Sequence, residues 1–316
     1  MGTGVFTIAG VTFAAESPWE ISPSENFVPF AKKLHYDEPA LAEPSKRDAE
    51  RTVRIIIGTV RDECELLYGG EAENGKVTSN ERFCVFKSEN GFTRLYSDRL
   101  ENGKVYASSR FDPSSSTVHI RALEDSEGYF DKSHNLFAHI GFEEVLLHFG
   151  RVMLHSSYVR VGGGALLFAG ASGAGKSTQA ALWVKHMGAE TVNGDRTVIC
   201  GEGHGYTAYG SPVAGSSAVF RYGGDRVTAL VLPEKSRENE AERISGAEAV
   251  RAVFSQATVN SWSPRDTERA LDIICGFTDS IPVYRLRCTP DRHAPEELSR
   301  RLKADGFDPG CMSEKD

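Results

Sequence analysis

Residues 165–169 (ALLFA) and 170–178 (GASGAGKST) are the stretch that decides how the second half of the chain is interpreted. The first part is a short apolar run, and the second fits the pattern G-x-x-x-x-G-K-[S/T]. That pattern requires a buried strand before it and an amphipathic helix after it, and the residues from Lys176 to Met187 have helical spacing. The sequence therefore predicts a strand, a phosphate-binding loop and a helix, in that order.

The loop residues have expected parts in holding a nucleotide triphosphate. Its glycines let backbone N–H groups turn towards phosphate, and the helix N-terminus adds partial positive charge. Lys176 is expected to neutralise the β- and γ-phosphates, Ser177 to ligate the Mg²⁺ that bridges them, and Thr178 to make a secondary contact. We therefore predict ATP and Mg²⁺ as cofactors, bound by Gly170, Ala171, Ser172, Gly173, Ala174, Gly175, Lys176, Ser177 and Thr178. A glycine-rich turn that opens an ordinary helix is the alternative.

Asp195 is the candidate acid downstream of the loop. It lies in residues 191–199 (TVNGDRTVI), where a loop leads into an apolar strand that can return the carboxylate to the phosphate site. There it would ligate Mg²⁺ or accept the proton of an acceptor hydroxyl. An aspartate next to glycine is also common in plain turns, and Arg196 either offsets phosphate charge or points to solvent.

His155 is the second candidate, in residues 154–157 (LHSS) on a predicted strand, 152–161, just before the strand that leads into the loop. Because the charge of histidine responds near neutral pH, His155 could orient a hydroxyl or contact the transferring phosphate. A lone histidine is more often structural, and the residues alone leave both roles open.

The first 135 residues have the pattern of β-structure, with alternating runs separated by Asn-Gly pairs that suit tight hairpins. We predict an antiparallel sheet or meander from the runs 53–60, 82–86, 93–96, 104–108 and 117–122. Near residue 135 the spacing becomes helical, and one helix is expected to bridge two domains. The predicted domains are a β-rich N-terminal domain, residues 1–135, and an α/β domain, residues 136–316.

The composition excludes several classes of function. The 316 residues are 40% hydrophobic and 25% charged, as in a soluble globular protein, and a net charge of -8 gives no general attraction to nucleic acid or anionic lipid. The six cysteines form no C-x-x-C spacing, and no apolar run approaches the ~18 residues that span a bilayer. We expect a reduced, cytoplasmic protein with neither nucleic acid nor membrane as a partner.

The order of the motifs resembles the catalytic core of the HPr kinase family, whose domain is related to PEP carboxykinases. The resemblance covers about residues 146–232 and is carried by His155-Ser156-Ser157, the loop at 170–178 and Asn193-Gly194-Asp195-Arg196. It implies an α/β fold with a PEP carboxykinase-like P-loop core, a mixed sheet with flanking helices, after a smaller β-rich domain. It also implies Asp195 as base or Mg²⁺-linked carboxylate and His155 on the phosphate or acceptor side. The predicted catalytic residues are thus Asp195, His155 and Lys176, and the predicted metal ligands are Ser177 and Asp195.

The chain departs from the family at two places. Asn193-Gly194 stands where the family has another aspartate, and residues 208–217 (AYGSPVAGSS) contain no carboxylate where the family has an acidic metal segment. The backbone N–H groups of residues 208–217 are candidates for binding phosphate or acceptor, with a tight turn as the alternative. The N-terminal region does not match the family's usual one, so HPr itself is not the expected substrate.

The resulting prediction is an ATP-dependent kinase that transfers the γ-phosphate to a hydroxyl. Proteins with such a core and a divergent N-terminal half resemble those of modified-peptide pathways, so a serine of a peptide or protein is the expected acceptor. A small molecule such as free serine is one alternative, and a non-catalytic ATP-binding regulatory protein is another. The family is oligomeric, so the resemblance also allows a homo-oligomer.

Overall fold

The computed structural model describes residues 2–32, 51–66, 75–80, 82–88, 91–98, 103–203, 205–213 and 215–307. The chain divides into two compact units, Met1–Phe149 and Gly150–Asp316. Each unit contains one large mixed sheet and a few helices, so the α/β class expected from the sequence is present. None of the helices in the described part of the chain has the length and hydropathy of a membrane-spanning segment.

The first unit is built on an eight-stranded sheet with the order β1-β2-β3-β8-β7-β6-β5-β4. Its strands are β1 Gly2–Ile8, β2 Val11–Ser17, β3 Thr52–Val60, β4 Lys76–Ser79, β5 Phe83–Ser88, β6 Gly91–Asp98, β7 Lys104–Asp112 and β8 Thr117–Leu123. The antiparallel meander predicted from the sequence describes β5 to β8, but it is wrong for β3, which pairs in parallel with both β2 and β8. These pairings join strands that are distant in the chain, and local spacing does not encode them.

Two short helices, α1 Ser133–Ala138 and α2 Phe142–His148, belong to the first unit. The ring of Phe137 packs against those of Phe6, Phe13 and Phe27, with centroid distances of 5.5, 5.1 and 4.8 Å. Gly141, with a φ of 64°, precedes α2 and interrupts the helical pattern. The single bridging helix expected from the sequence is therefore two helices. The units divide at residues 149/150, whereas the sequence placed the boundary at 135/136.

The second unit also has an eight-stranded sheet, with the order β10-β9-β12-β13-β14-β16-β15 and with β11 paired to β9. Strand β10 pairs antiparallel with β9 and parallel with β14, and β14 pairs parallel with β16. The strands are β9 Arg151–Val161, β10 Gly164–Ala169, β11 Glu190–Asn193, β12 Arg196–Glu202, β13 Gly205–Tyr209, β14 Gly224–Lys235, β15 Glu240–Ile244 and β16 Val283–Cys288. The helices are α3 Lys176–Met187, α4 Gly246–Phe254, α5 Pro264–Ser280 and α6 His293–Ala304.

The core of the second unit holds helix α3 against the sheet. Every residue of β10 is buried, as expected for a strand paired on both edges. Trp183 on α3 and Leu298 on α6 are fully buried in one cluster with Phe168 of β10. Because α3 packs on the sheet that contains β10, the connection between them, residues 170–175, is confined to the end of that strand.

Candidate functional site

Strand register brings His155 beside two loops. In the pairing of β9 with β10, Ser156 lies opposite Ala169, the last residue before the glycine-rich loop. In the pairing of β9 with β12, His155 lies opposite Arg196. The loop that starts at Gly170 and the turn that ends at Arg196 therefore meet around one position of β9.

The glycine-rich loop has the backbone of an anion cradle. Gly170, Gly173 and Gly175 have φ angles of 155°, 79° and 110°, which residues with a side chain rarely adopt. Helix α3 has no side-chain N-cap. In the described part of the chain, the backbone N–H groups of Gly173, Gly175, Lys176 and Ser177 donate to no other protein group. Such free donors at a helix N-terminus are suited to binding phosphate oxygens.

Lys176 lies within this loop and is only 7% exposed. Its ammonium donates hydrogen bonds to the carbonyl oxygens of Gly170 at 2.8 Å and Ala171 at 3.3 Å. Burial lowers the pKa of Lys176, the carboxylate of Asp195 raises it, and the positive charge of Arg196 lowers it further. A cation held at the mouth of a set of free N–H groups favours an anionic ligand.

Asp195 is held between two basic side chains. Its Oδ1 lies 3.0 Å from Nε2 of His155, and its Oδ2 lies 3.3 Å from Nε of Arg196. Arg196 also donates from its terminal Nη1 to the hydroxyl of Thr258 at 3.0 Å. The turn at residues 193–196 thus directs Asp195 and Arg196 towards β9, and Arg196 takes part in the cluster although it was not among the predicted catalytic residues.

The surroundings of His155 favour the neutral imidazole. Burial lowers its pKa, the positive charges of Lys176 and Arg196 lower it further, and the carboxylate of Asp195 raises it. Since the carboxylate only accepts hydrogen bonds, the neutral ring carries its proton on Nε2 and donates it to Asp195. The imidazole therefore orients the carboxylate.

Asn193 and Gly215 adjoin Asp195 and were not predicted as site residues. The buried amide of Asn193 bonds to the backbone of Asp195, and Gly215 packs against the Asp195 side chain. Because Asn-Gly pairs favour turns, the sequence did indicate that Asn193 lies in a turn. Gly215 lies in segment 208–217, whose backbone N–H groups were candidates for binding phosphate or acceptor, but its packing against Asp195 was not predicted. Residues 210–213 follow β13, and the carbonyls of Ser211 and Val213 accept from Asn193, so this part of segment 208–217 braces the turn.

The residues fit a magnesium nucleotide better than a metal ion bound by protein alone. Ser177, at the first turn of α3, is exposed, and each Asp195 oxygen keeps a free lone pair beside its basic partner. Among the described residues, no group of three or more His, Cys, Asp or Glu side chains is placed to hold a metal ion. Mg²⁺ commonly takes one or two protein oxygens and completes its shell with phosphates and water.

Comparisons with known proteins find distant similarity to solved structures. No protein-family model and no curated protein matches the sequence. A solved structure of the Hpr(Ser) kinase/phosphatase from Coxiella burnetii matches with a TM-score of 0.31 and 12% identity, covering 49% of this chain and 99% of that one.

Proposed function

We propose that this chain is an ATP-dependent kinase that binds MgATP at residues 170–178 and transfers the γ-phosphate to a hydroxyl. One observation carries the proposal: the free N–H groups of the glycine-rich loop and Lys176 lie beside an oriented carboxylate, Asp195. A phosphate cradle alone would support binding. The adjoining carboxylate adds a group that can act on an acceptor.

The nucleotide phosphates occupy the loop and the N-terminus of α3. The N–H groups of Gly173, Gly175 and Ser177 supply donors, and Lys176 exchanges its loop carbonyls for phosphate oxygens. Lys176 and Arg196 carry positive charge and Asp195 carries negative charge, while the surroundings of His155 favour its neutral form. The cluster therefore has a net positive charge, which favours an anion. Mg²⁺, bound with the nucleotide, neutralises charge that develops on the phosphates, and Ser177 with Asp195 would hold it.

Asp195 acts on the acceptor. As the acceptor oxygen forms its bond to the γ-phosphorus, the bond from that phosphorus to the β–γ bridging oxygen breaks and ADP leaves. Asp195 takes the hydroxyl proton through the lone pair that His155 and Arg196 leave free. His155 and Arg196 hold the carboxylate in place, since positioning and electrostatics supply most of the catalysis in phosphoryl transfer.

We propose a serine of a peptide or protein as the acceptor, and a small alcohol such as free serine as the alternative. A non-catalytic ATP-binding regulator is a second candidate function. The observation that favours it is the lack, within the described residues, of a larger acidic cluster beside the loop. A regulator would bind ATP stoichiometrically and leave it intact.

Phosphate transfer from γ-labelled ATP separates these functions. Wild type and Asp195→Asn would be incubated with MgATP and with serine-containing peptides, HPr or free serine. Label on one acceptor with wild type, and its loss in the variant, would establish the kinase and its acceptor class. Tight ATP binding without transfer to any acceptor would support the non-catalytic ATP-binding regulator and overturn the kinase proposal.

A further inference from the structure

Asn193 uses its whole hydrogen-bonding capacity at the candidate site. Its Oδ1 accepts from the backbone N–H groups of Asp195 at 3.0 Å and Arg196 at 2.7 Å. Its Nδ2 donates to the carbonyl oxygens of Ser211 at 2.9 Å and Val213 at 3.1 Å. A side-chain amide has two donors and an acceptor with two lone pairs, so all four bonds are made. The side chain is fully buried, and losing any of these bonds would leave a buried polar group without a partner.

Further contacts tie the same turn to its surroundings. Ser157 of β9 donates its hydroxyl proton to the carbonyl oxygen of Gly194 at 2.7 Å. The hydroxyl of Ser211 donates to the carbonyl oxygen of Arg196 at 2.6 Å. The turn that carries Asp195 is therefore fixed from β9 on one side and from residues 210–213 on the other.

Gly215 closes the remaining side of Asp195. It has a φ of 55°, and a Cβ atom added there would come within 2.8 Å of Cβ, Cγ and Oδ2 of Asp195. Real Cβ contacts are not this short, and Asp195 is a short side chain with little freedom to give way. A side chain at position 215 would push the carboxylate from the place where His155 and Arg196 hold it.

We propose that Asn193 is a positioning residue for Asp195 in phosphoryl transfer. We also propose that Gly215, which has no side chain, leaves the space that the Asp195 carboxylate occupies. This inference depends on the proposed kinase function. Asn193 sets the backbone of residues 195 and 196, and Gly215 sets the side chain of Asp195. The glycine-rich loop is outside this hydrogen-bond network, so binding of the ATP phosphates to the loop, measured without Mg²⁺, is expected to be largely retained when the network is broken.

The first test is Asn193→Ala. We expect kcat for phosphate transfer to fall about 100-fold, the size of effect that misplacement of a catalytic group by about 1 Å produces. The Kd for ATP measured without Mg²⁺ is expected to stay close to that of wild type, and hydrogen exchange of the Asp195 and Arg196 amides is expected to become faster because they lose their acceptor. Asn239→Ala is the matched control. Asn239 bonds both the backbone and the side chain of Thr289 in the same unit, so its loss removes a comparable amide bridge elsewhere.

Gly215→Ala tests the same claim if Asn193→Ala does not fold. It keeps the Asn193 bonds and displaces the carboxylate, so we expect a lower kcat, a nearly unchanged Kd for ATP without Mg²⁺ and protected Asp195 and Arg196 amides. Equal losses of kcat, nucleotide affinity and thermal stability in both variants, or wild-type kcat in both, would overturn the inference. Should wild type transfer no phosphate, the kinase proposal fails by itself, and faster amide exchange in Asn193→Ala would still support the positioning of Asp195.

Discussion

Replacing Lys176 with methionine measures how much its ammonium contributes to phosphate binding. The ammonium is 7% exposed and lies against the carbonyls of Gly170 and Ala171, so in the complex it would make charge-assisted bonds shielded from water. Such bonds contribute about 1.5–3 kcal/mol, which corresponds to about a 10- to 150-fold loss of MgATP affinity in Lys176→Met. Methionine keeps the length of the side chain and its apolar stem, so the fold should change little.

Isothermal titration calorimetry with a non-hydrolysable ATP analogue and Mg²⁺ measures this loss. The matched control is Lys185→Met, because Lys185 is an exposed lysine on the same helix, α3, away from the loop. Affinity for adenosine, which lacks phosphates, should be equal in wild type and Lys176→Met. Wild-type affinity for the ATP analogue in Lys176→Met would refute the reasoning, as would an equal loss in the Lys185 variant.

The remaining predictions concern stability. Burial lowers the pKa of His139 from 6.5 to about 4, so the unfolded chain binds more protons between these values and the free energy of unfolding decreases as pH falls through that window. The full loss is about 3 kcal/mol, and denaturant unfolding of His139→Gln should lack this part of the pH dependence; identical pH profiles would contradict it. Leu298→Ala, in the core of the second unit, should lower the free energy of unfolding by about 2–5 kcal/mol, whereas Leu271→Ala on exposed helix surface should change it by less than about 1 kcal/mol. Equal effects of the two substitutions would show that Leu298 is not part of a packed core.

Local signals predicted the elements around the loop well. The apolar run before Gly170 is strand β10, and helix α3 begins at Lys176 and ends at Met187 as its spacing indicated. Both follow from residues that are neighbours in sequence: a run buried on all sides, and a helix that is terminated by the following residue, Gly188, whose φ is 69°. The secondary structure on both sides of the loop was therefore open to prediction.

Contacts between distant residues were not open to prediction in the same way. The pairing of His155 with Asp195 depends on the register of β9 against β12. The close packing of Gly215 against Asp195 depends on a loop that follows β13. Similarly, the parallel pairing of β3 with β8 joins strands separated by four others in the chain. A spacing pattern reports which side of a strand is buried, but it does not report which distant strand lies beside it.

The proposed binding site for ATP can be tested directly by following backbone amide chemical shifts during titration with MgATP and, separately, with adenosine. We predict that MgATP shifts the amides of Gly173, Gly175, Lys176 and Ser177 most strongly, since these N–H groups have no protein acceptor in the described structure, and that adenosine leaves them nearly unchanged. Shifts confined to other parts of the chain, or no response of these four amides at saturating MgATP, would contradict the claim that this loop holds the phosphates.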